Sequence, residues 1–117
     1  MLDVGEPDRS GDRVSIALRG TLAGPDAGRL RHCVVEHYVD DGVREIYLDA
    51  SELAFVDEDG VGALLRLRAE AIVRSKRLWV VRPRGQVRDK LALINVPGLL
   101  GPEVEEPPLS GDSGDAD

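Results

Sequence analysis

The chain predicts an α/β fold in which helices pack on a small sheet. Two segments alternate polar and apolar residues, Val14 to Leu18 and Arg44 to Leu48, and a third, Leu78 to Val81, is a nearly continuous apolar run. Each is followed by a stretch whose apolar residues recur at helical spacing, so the order reads β-α-β-α-β-α. Such alternation gives a sheet with helices layered on it. The length of 117 residues suffices for one domain and hardly two.

In the first clear strand Val14, Ile16 and Leu18 share one face, and Gly20 ends it. A weaker strand signal precedes it around Leu2 to Val4. Pro25 suits the first helical position and Asp26 the first turn. Ala27, Leu30, Val34 and Tyr38 then mark a helix to about Val39, stopped by Asp40, Asp41 and Gly42. In the central strand Ile46 and Leu48 lie on one side, with Tyr47, a good strand former, on the other. Asp49, Ala50 and Ser51 break the alternation, which predicts the end of the strand. Leu53, Phe55 and Val56 then form a short apolar link that must be buried.

After Asp57 the period becomes helical. Val61, Leu64, Leu65 and Ile72 recur on one side, with Leu67 and Ala71 widening the stripe. Arg66, Glu70 and Arg74 lie opposite, and Glu70 with Arg74 forms a favourable i,i+4 pair. Arg68 falls inside the stripe, so it must snorkel or meet an acid. Leu78 to Val81 suits a strand covered on both faces. Pro83 to Gly85 reads as a turn. Val87, Leu91 and Ile94 make a third helix stopped by Pro97 and Gly98, after which Leu99 and Leu100 pack back on the sheet.

The net charge is −7, but residues 101–117 hold six acids and no base. Residues 1–100 are close to neutral, with 16 acids dispersed among 15 bases. No basic stripe for nucleic acid exists. The 101–117 stretch is rich in Gly, Pro, Ser and Asp and predicts an acidic disordered tail. No apolar run is long enough to cross a bilayer. Met1 to Gly11 lacks the apolar core of a signal peptide, which argues for a cytoplasmic protein. The single cysteine, Cys33, fits a reducing compartment and reads as a small residue on the buried face of a helix.

Neither a Walker pattern nor Gly-x-Gly-x-x-Gly occurs. His32 and His37 are five apart on one helix, off the spacing of a helical metal pair. Cys33 beside His32 is an adjacency, because neighbours on a helix point about 100° apart. No cofactor, metal site or catalytic set follows from these residues.

The informative segment runs from Tyr47 to Leu65. Asp57 suits an N-cap, with Glu58 and Asp59 in the first turn, where each gains about 0.3–1 kcal/mol from the helix dipole. Gly60 and Gly62 cost a helix about 1 kcal/mol each and suggest close approach of a backbone or a partner. Three readings of the acidic triplet stand: capping with solvation, a divalent-metal site, or a recognition rim for a protein.

Leu48-Asp49-Ala50-Ser51, then Leu53-Ala-Phe-Val-Asp57, then Gly60-Val-Gly62-Ala-Leu-Leu65 resemble the signature of STAS domains, specifically bacterial anti-sigma factor antagonists. Val14-Ser-Ile-Ala-Leu-Arg-Gly20-Thr-Leu22, Leu78-Trp-Val-Val-Arg-Pro, Gln86-Val-Arg-Asp-Lys-Leu and Val96-Pro-Gly-Leu extend the likeness over Arg13 to Leu100. The resemblance implies one domain over residues 13–100, with a four- to five-stranded mixed sheet and helices mainly on one face. Residues 1–12 form an N-terminal segment that includes the weak strand.

The resemblance also implies a function. These proteins bind an anti-sigma factor, often a serine kinase, and so free a sigma factor; phosphorylation of a Ser in Asp-Ser-Ser/Thr-Gly abolishes binding. That motif corresponds here to Asp57, Glu58, Asp59 and Gly60, so neither hydroxyl is present. The loop Leu22 to Ala27 also lacks the acidic residue that the family often has just after this strand. The implied switch and partner-binding residues are Asp57, Glu58, Asp59, Gly60, Val61 and Ser51, with an anti-sigma factor of the serine-kinase type as partner. Homodimerisation stays open, and neither nucleic acid nor membrane insertion is implied. A STAS-like subunit of a membrane lipid-transport ATPase complex and an Mg²⁺-dependent enzyme are the competing functions.

Overall fold

The ten-residue strand Arg13–Leu22 organises the molecule because it pairs on both sides. In a computed structural model, which describes residues 1–94 and 99–100, the elements run β1 (Leu2–Val4), β2 (Asp8–Ser10), β3 (Arg13–Leu22), α1 (Asp26–Tyr38), β4 (Glu45–Val56), α2 (Glu58–Val73), β5 (Arg77–Val81) and α3 (Gly85–Ile94). The short strands β1 and β2 both run antiparallel along one side of β3, and β4 runs parallel along the other. Strand β5 extends the sheet beyond β4, also parallel. The sheet is therefore five-stranded and mixed, with α1 and α2 serving as the crossovers that parallel neighbours require.

One face of this sheet makes the core. Val14, Ile16, Leu18, Ile46, Leu48, Ala50, Leu78 and Val80 point inward and are buried with residues of all three helices. From α1 come Leu30, Val34 and Tyr38, and from α3 Val87 and Leu91. The opposite face carries polar and aromatic rungs. Arg13, Glu45 and Arg77 lie in register, then Ser15, Tyr47 and Trp79. Tyr47 and Trp79 meet with ring centroids 5.1 Å apart, the tilted contact that aromatic quadrupoles favour.

The break at Asp49, Ala50 and Ser51 is not the end of the strand. Between the pairs Ala17–Asp49 and Arg19–Glu52, β4 holds one residue more than β3, and the same recurs before Thr21–Phe55. Two bulges explain the lost alternation, since each extra residue shifts the phase of the pleat. The ladder continues to Val56, and Leu53 and Val56 are buried while Phe55 is 42% exposed. The expectation of a fully buried apolar link is thus corrected at Phe55. Strand β2 had no apolar signal because all three of its residues are exposed.

Helix α2 buries Val61, Leu64, Leu67 and Ala71. Ile72, expected in that stripe, is 55% exposed, because it lies one residue and about 100° beyond Ala71. Arg68 is half-buried on the flank, and Glu70 pairs with Arg74 at 3.6 Å. Cys33 is partly buried. Leu99 packs into the core, its carbonyl accepts from the Val80 N–H at 2.9 Å, and Leu100 bridges to Val80. Pro97, Gly98 and the acidic stretch 101–117 lie outside the described residues.

Candidate docking site

The tip of α2 is built by short-range capping and long-range clamps. Asp57 leaves β4 in an extended conformation and caps the helix, with Oδ1 accepting from the Gly60 N–H at 2.7 Å. Its Oδ2 accepts from the Gly24 N–H at 3.2 Å, which ties the tip to the loop after β3. The Asp57 N–H donates to the Leu22 carbonyl at 3.3 Å. The Asp57 carboxylate is thereby engaged with the protein's own backbone, whereas Glu58 and Asp59 face solvent.

Gly60 is required at its position. A Cβ there would come within 2.3 Å of the Leu22 carbonyl oxygen and 2.6 Å of a Val56 methyl. Gly62 differs, since a Cβ there would meet only the Arg66 guanidinium, at 3.3 Å. Val61 is 5% exposed and belongs to the core, so it supports the tip from beneath. Gly60 is buried in the same way.

Helix α3 supplies two residues that local sequence reasoning missed. The Gln86 amide clamps the end of β4, accepting from the Val56 N–H at 3.0 Å and donating to its carbonyl at 2.9 Å. One turn later the Lys90 ammonium donates to the Glu58 carboxylate at 2.7 Å. Glu58 remains 86% exposed by side chain, so this contact neutralises its charge without covering it. Neither residue carries a signal of its role, because each partner lies about thirty positions earlier in the chain. Three carboxylates against one ammonium leave the tip a net charge of −2.

Ser51 is not brought to the tip. It precedes Asp57 by six residues of extended strand, on the order of 15–20 Å. Its N–H donates to Asp49 Oδ1 at 2.9 Å, and the other Asp49 oxygen pairs with Arg82. Desolvation raises the Asp49 pKa, but the hydrogen bonds from Arg82 and Ser51 outweigh it and hold the carboxyl below its usual range. Among the described residues, no group of three His, Cys, Asp or Glu side chains is placed to hold a metal ion. No described helix is long and apolar enough to cross a membrane.

The comparisons agree with this architecture. Among solved structures, the chain is similar to the anti-sigma factor antagonist SpoIIAA in its unphosphorylated form, with 21% identity, a TM-score of 0.70, and coverage of 86% of this chain and 90% of that one. Phosphorylated SpoIIAA, the Bacillus cell fate determinant, gives 20% identity and a TM-score of 0.66, with 86% and 94% covered. The murine anion transporter Slc26a9 gives 18% identity and a TM-score of 0.65 over 74% of this chain, which is 14% of the transporter. At these identities the likeness is one of fold. A search of curated proteins gave no match. The family model described as "Mlab, STAS domain" matches residues 6–101. The chain therefore belongs to the STAS-domain family.

Proposed function

We propose that this protein is a non-catalytic docking module that controls transcription by binding an anti-sigma factor, with a charge fixed by sequence where its relatives carry a phosphorylatable serine. The observation that supports this most is Glu58, at the first position of α2 and 86% exposed by side chain, where the family motif has the switch serine. Glu58 and Asp59 form the presented tip; Asp57, through its cap, and Gly60 and Val61 hold it in place. Ser51, distant along β4, is assigned the Asp49 bulge rather than the contact.

The charge balance sets the state of this switch. A family member with Asp and an unmodified Ser-Ser or Ser-Thr pair carries about −1 at the tip, and phosphorylation adds about −1.5 to −2. Counted by the same groups, Asp57, Glu58 and Asp59 carry −3 here, about the charge of a phosphorylated relative, and the Lys90 ammonium at 2.7 Å offsets one of those charges. Lys90 therefore sets how far the tip imitates a phosphorylated one. A partner of the serine-kinase type would meet a surface that it cannot phosphorylate at this position, in the cytoplasm where such partners act.

The test compares wild type with Glu58→Ser and Glu58→Ser/Asp59→Ser against an anti-sigma kinase encoded near this gene. The serine variants are expected to accept phosphate at residue 58 and then to lose binding, while wild type binds unmodified. Phosphorylation of wild type at another Ser or Thr, with loss of binding, would falsify the fixed-charge switch.

A second reading, an accessory subunit of a membrane lipid-transport ATPase complex, has its own support. The matching family bears the name Mlab, and the same fold occurs within the transporter Slc26a9. Co-purification with an ATPase subunit and no affinity for an anti-sigma factor would favour it over the first.

A further inference from the structure

The solvent side of α2 carries Asp59, Gly62, Arg66, Ala69 and Val73. The neighbouring charges are already compensated: Glu58 by Lys90 at 2.7 Å, and Glu70 by Arg31 at 3.0 Å and Arg74 at 3.6 Å. Asp59 and Arg66 have no hydrogen-bond or ion-pair partner among the described residues. They are seven residues apart, about 10 Å along the axis and within about 20° of the same direction.

Beside them, α1 and α2 leave a groove of about 260 Å³ lined by Ala27, Gly28, Ala63 and Leu67 and by the charged Arg31, Arg66 and Glu70. The midpoint between Asp59 and Arg66 falls between Gly62, which is partly exposed, and Ala63, which is buried beside it. Gly62 has no internal reason to be glycine, because only its own helix's Arg66 side chain would meet a Cβ. It still costs the helix about 1 kcal/mol.

One acid and one base on a single ridge, with small residues halfway between, are complementary to themselves under a two-fold rotation. We infer that this side of α2 is a self-association surface whose occupant is a second copy of the chain, packed antiparallel. Asp59 then faces Arg66 of the partner subunit, Arg66 faces Asp59 of the partner subunit, and the two helices cross at Gly62. The dimer is weak, because its ion pairs are exposed. It also hides Asp59, so self-association and binding of another protein to the tip exclude each other. None of this depends on which partner the tip takes.

Sedimentation equilibrium of the intact protein over a wide concentration range tests it. Wild type should show reversible dimerisation. Asp59→Arg or Arg66→Glu should each raise the dissociation constant about tenfold, since every substitution acts twice across a two-fold axis. The double variant Asp59→Arg/Arg66→Glu should return to within about threefold of wild type, because the reciprocal pairs are restored with signs exchanged. All these positions face solvent, and circular dichroism melts confirm that each variant is folded. In a mixed-label wild-type sample, contacts between copies should centre on Gly62, a readout that needs no variant. A protein that stays monomeric at every concentration, single variants that associate like wild type, a double variant no tighter than either single, or inter-copy contacts elsewhere would each overturn the inference.

Discussion

The two ends of α2 treat polar groups in opposite ways. At its C-terminal end, Lys76 is only 8% exposed, and its ammonium donates to the carbonyls of Asp40, at 2.8 Å, and of Val43. The loop it holds is braced again by Arg9, which pairs with Asp40 at 2.9 Å, and by the Gly42 N–H, which donates to Asp40. The hydrogen bond from Gly42, with help from Arg9, lowers the Asp40 pKa. At the N-terminal end, Asp57 is consumed by capping, but Glu58 and Asp59 remain in solvent. The first end satisfies its polar groups internally, which stabilises. The second keeps charge in solvent on a capped helix end, as the proposed docking role requires.

Three substitutions break or sharpen this contrast. The largest expected effect is Gly60→Ala, which drives a methyl into the Leu22 carbonyl at 2.3 Å. It should cost about 3 kcal/mol and lower Tm by about 15 °C in a calorimetric scan. A loss below about 1 kcal/mol would mean that the tip yields easily, contrary to the close approach of Gly60 to Leu22. Next is Lys76→Met, which keeps the aliphatic packing but leaves two carbonyls without their donor. About 2 kcal/mol of stability should go, read from urea unfolding at constant m, with no change in partner binding. Least in stability is Lys90→Gln, within about 0.5 kcal/mol of wild type because its ion pair is exposed. It should nevertheless weaken binding to an anti-sigma factor, as the tip moves from −2 to −3, toward the charge of a phosphorylated relative. Unchanged or tighter binding would refute the charge assignment given to Lys90.

Much of the fold was legible because it rests on local periodicity. The alternation of Val14, Ile16 and Leu18 and the stripe of Leu30, Val34 and Tyr38 lead directly to buried faces. The Asp57 cap was legible too, since it acts within four residues. Features that depend on distant partners were not. Strand β2 exists only because β3 lies beside it. The bulges in β4 look like a strand end until the register with β3 is known. Phe55 and Ile72 are apolar by type, but strand phase and helix angle turn them outward. Of the implied site, Asp57 through Val61 lie together, while Ser51 stays behind on the strand. The Glu58–Lys90 pair spans 32 positions, and no local pattern announces it.

The bridge of Leu100 and the Leu99 carbonyl to Val80 has a consequence for assembly. It covers the outer margin of β5 at Val80, and the opposite margin is made of two three-residue strands. Open ladders invite other chains to add strands, and such margins discourage it. Neighbouring molecules are therefore steered toward the helical side, where contacts form by side-chain fit and can be released.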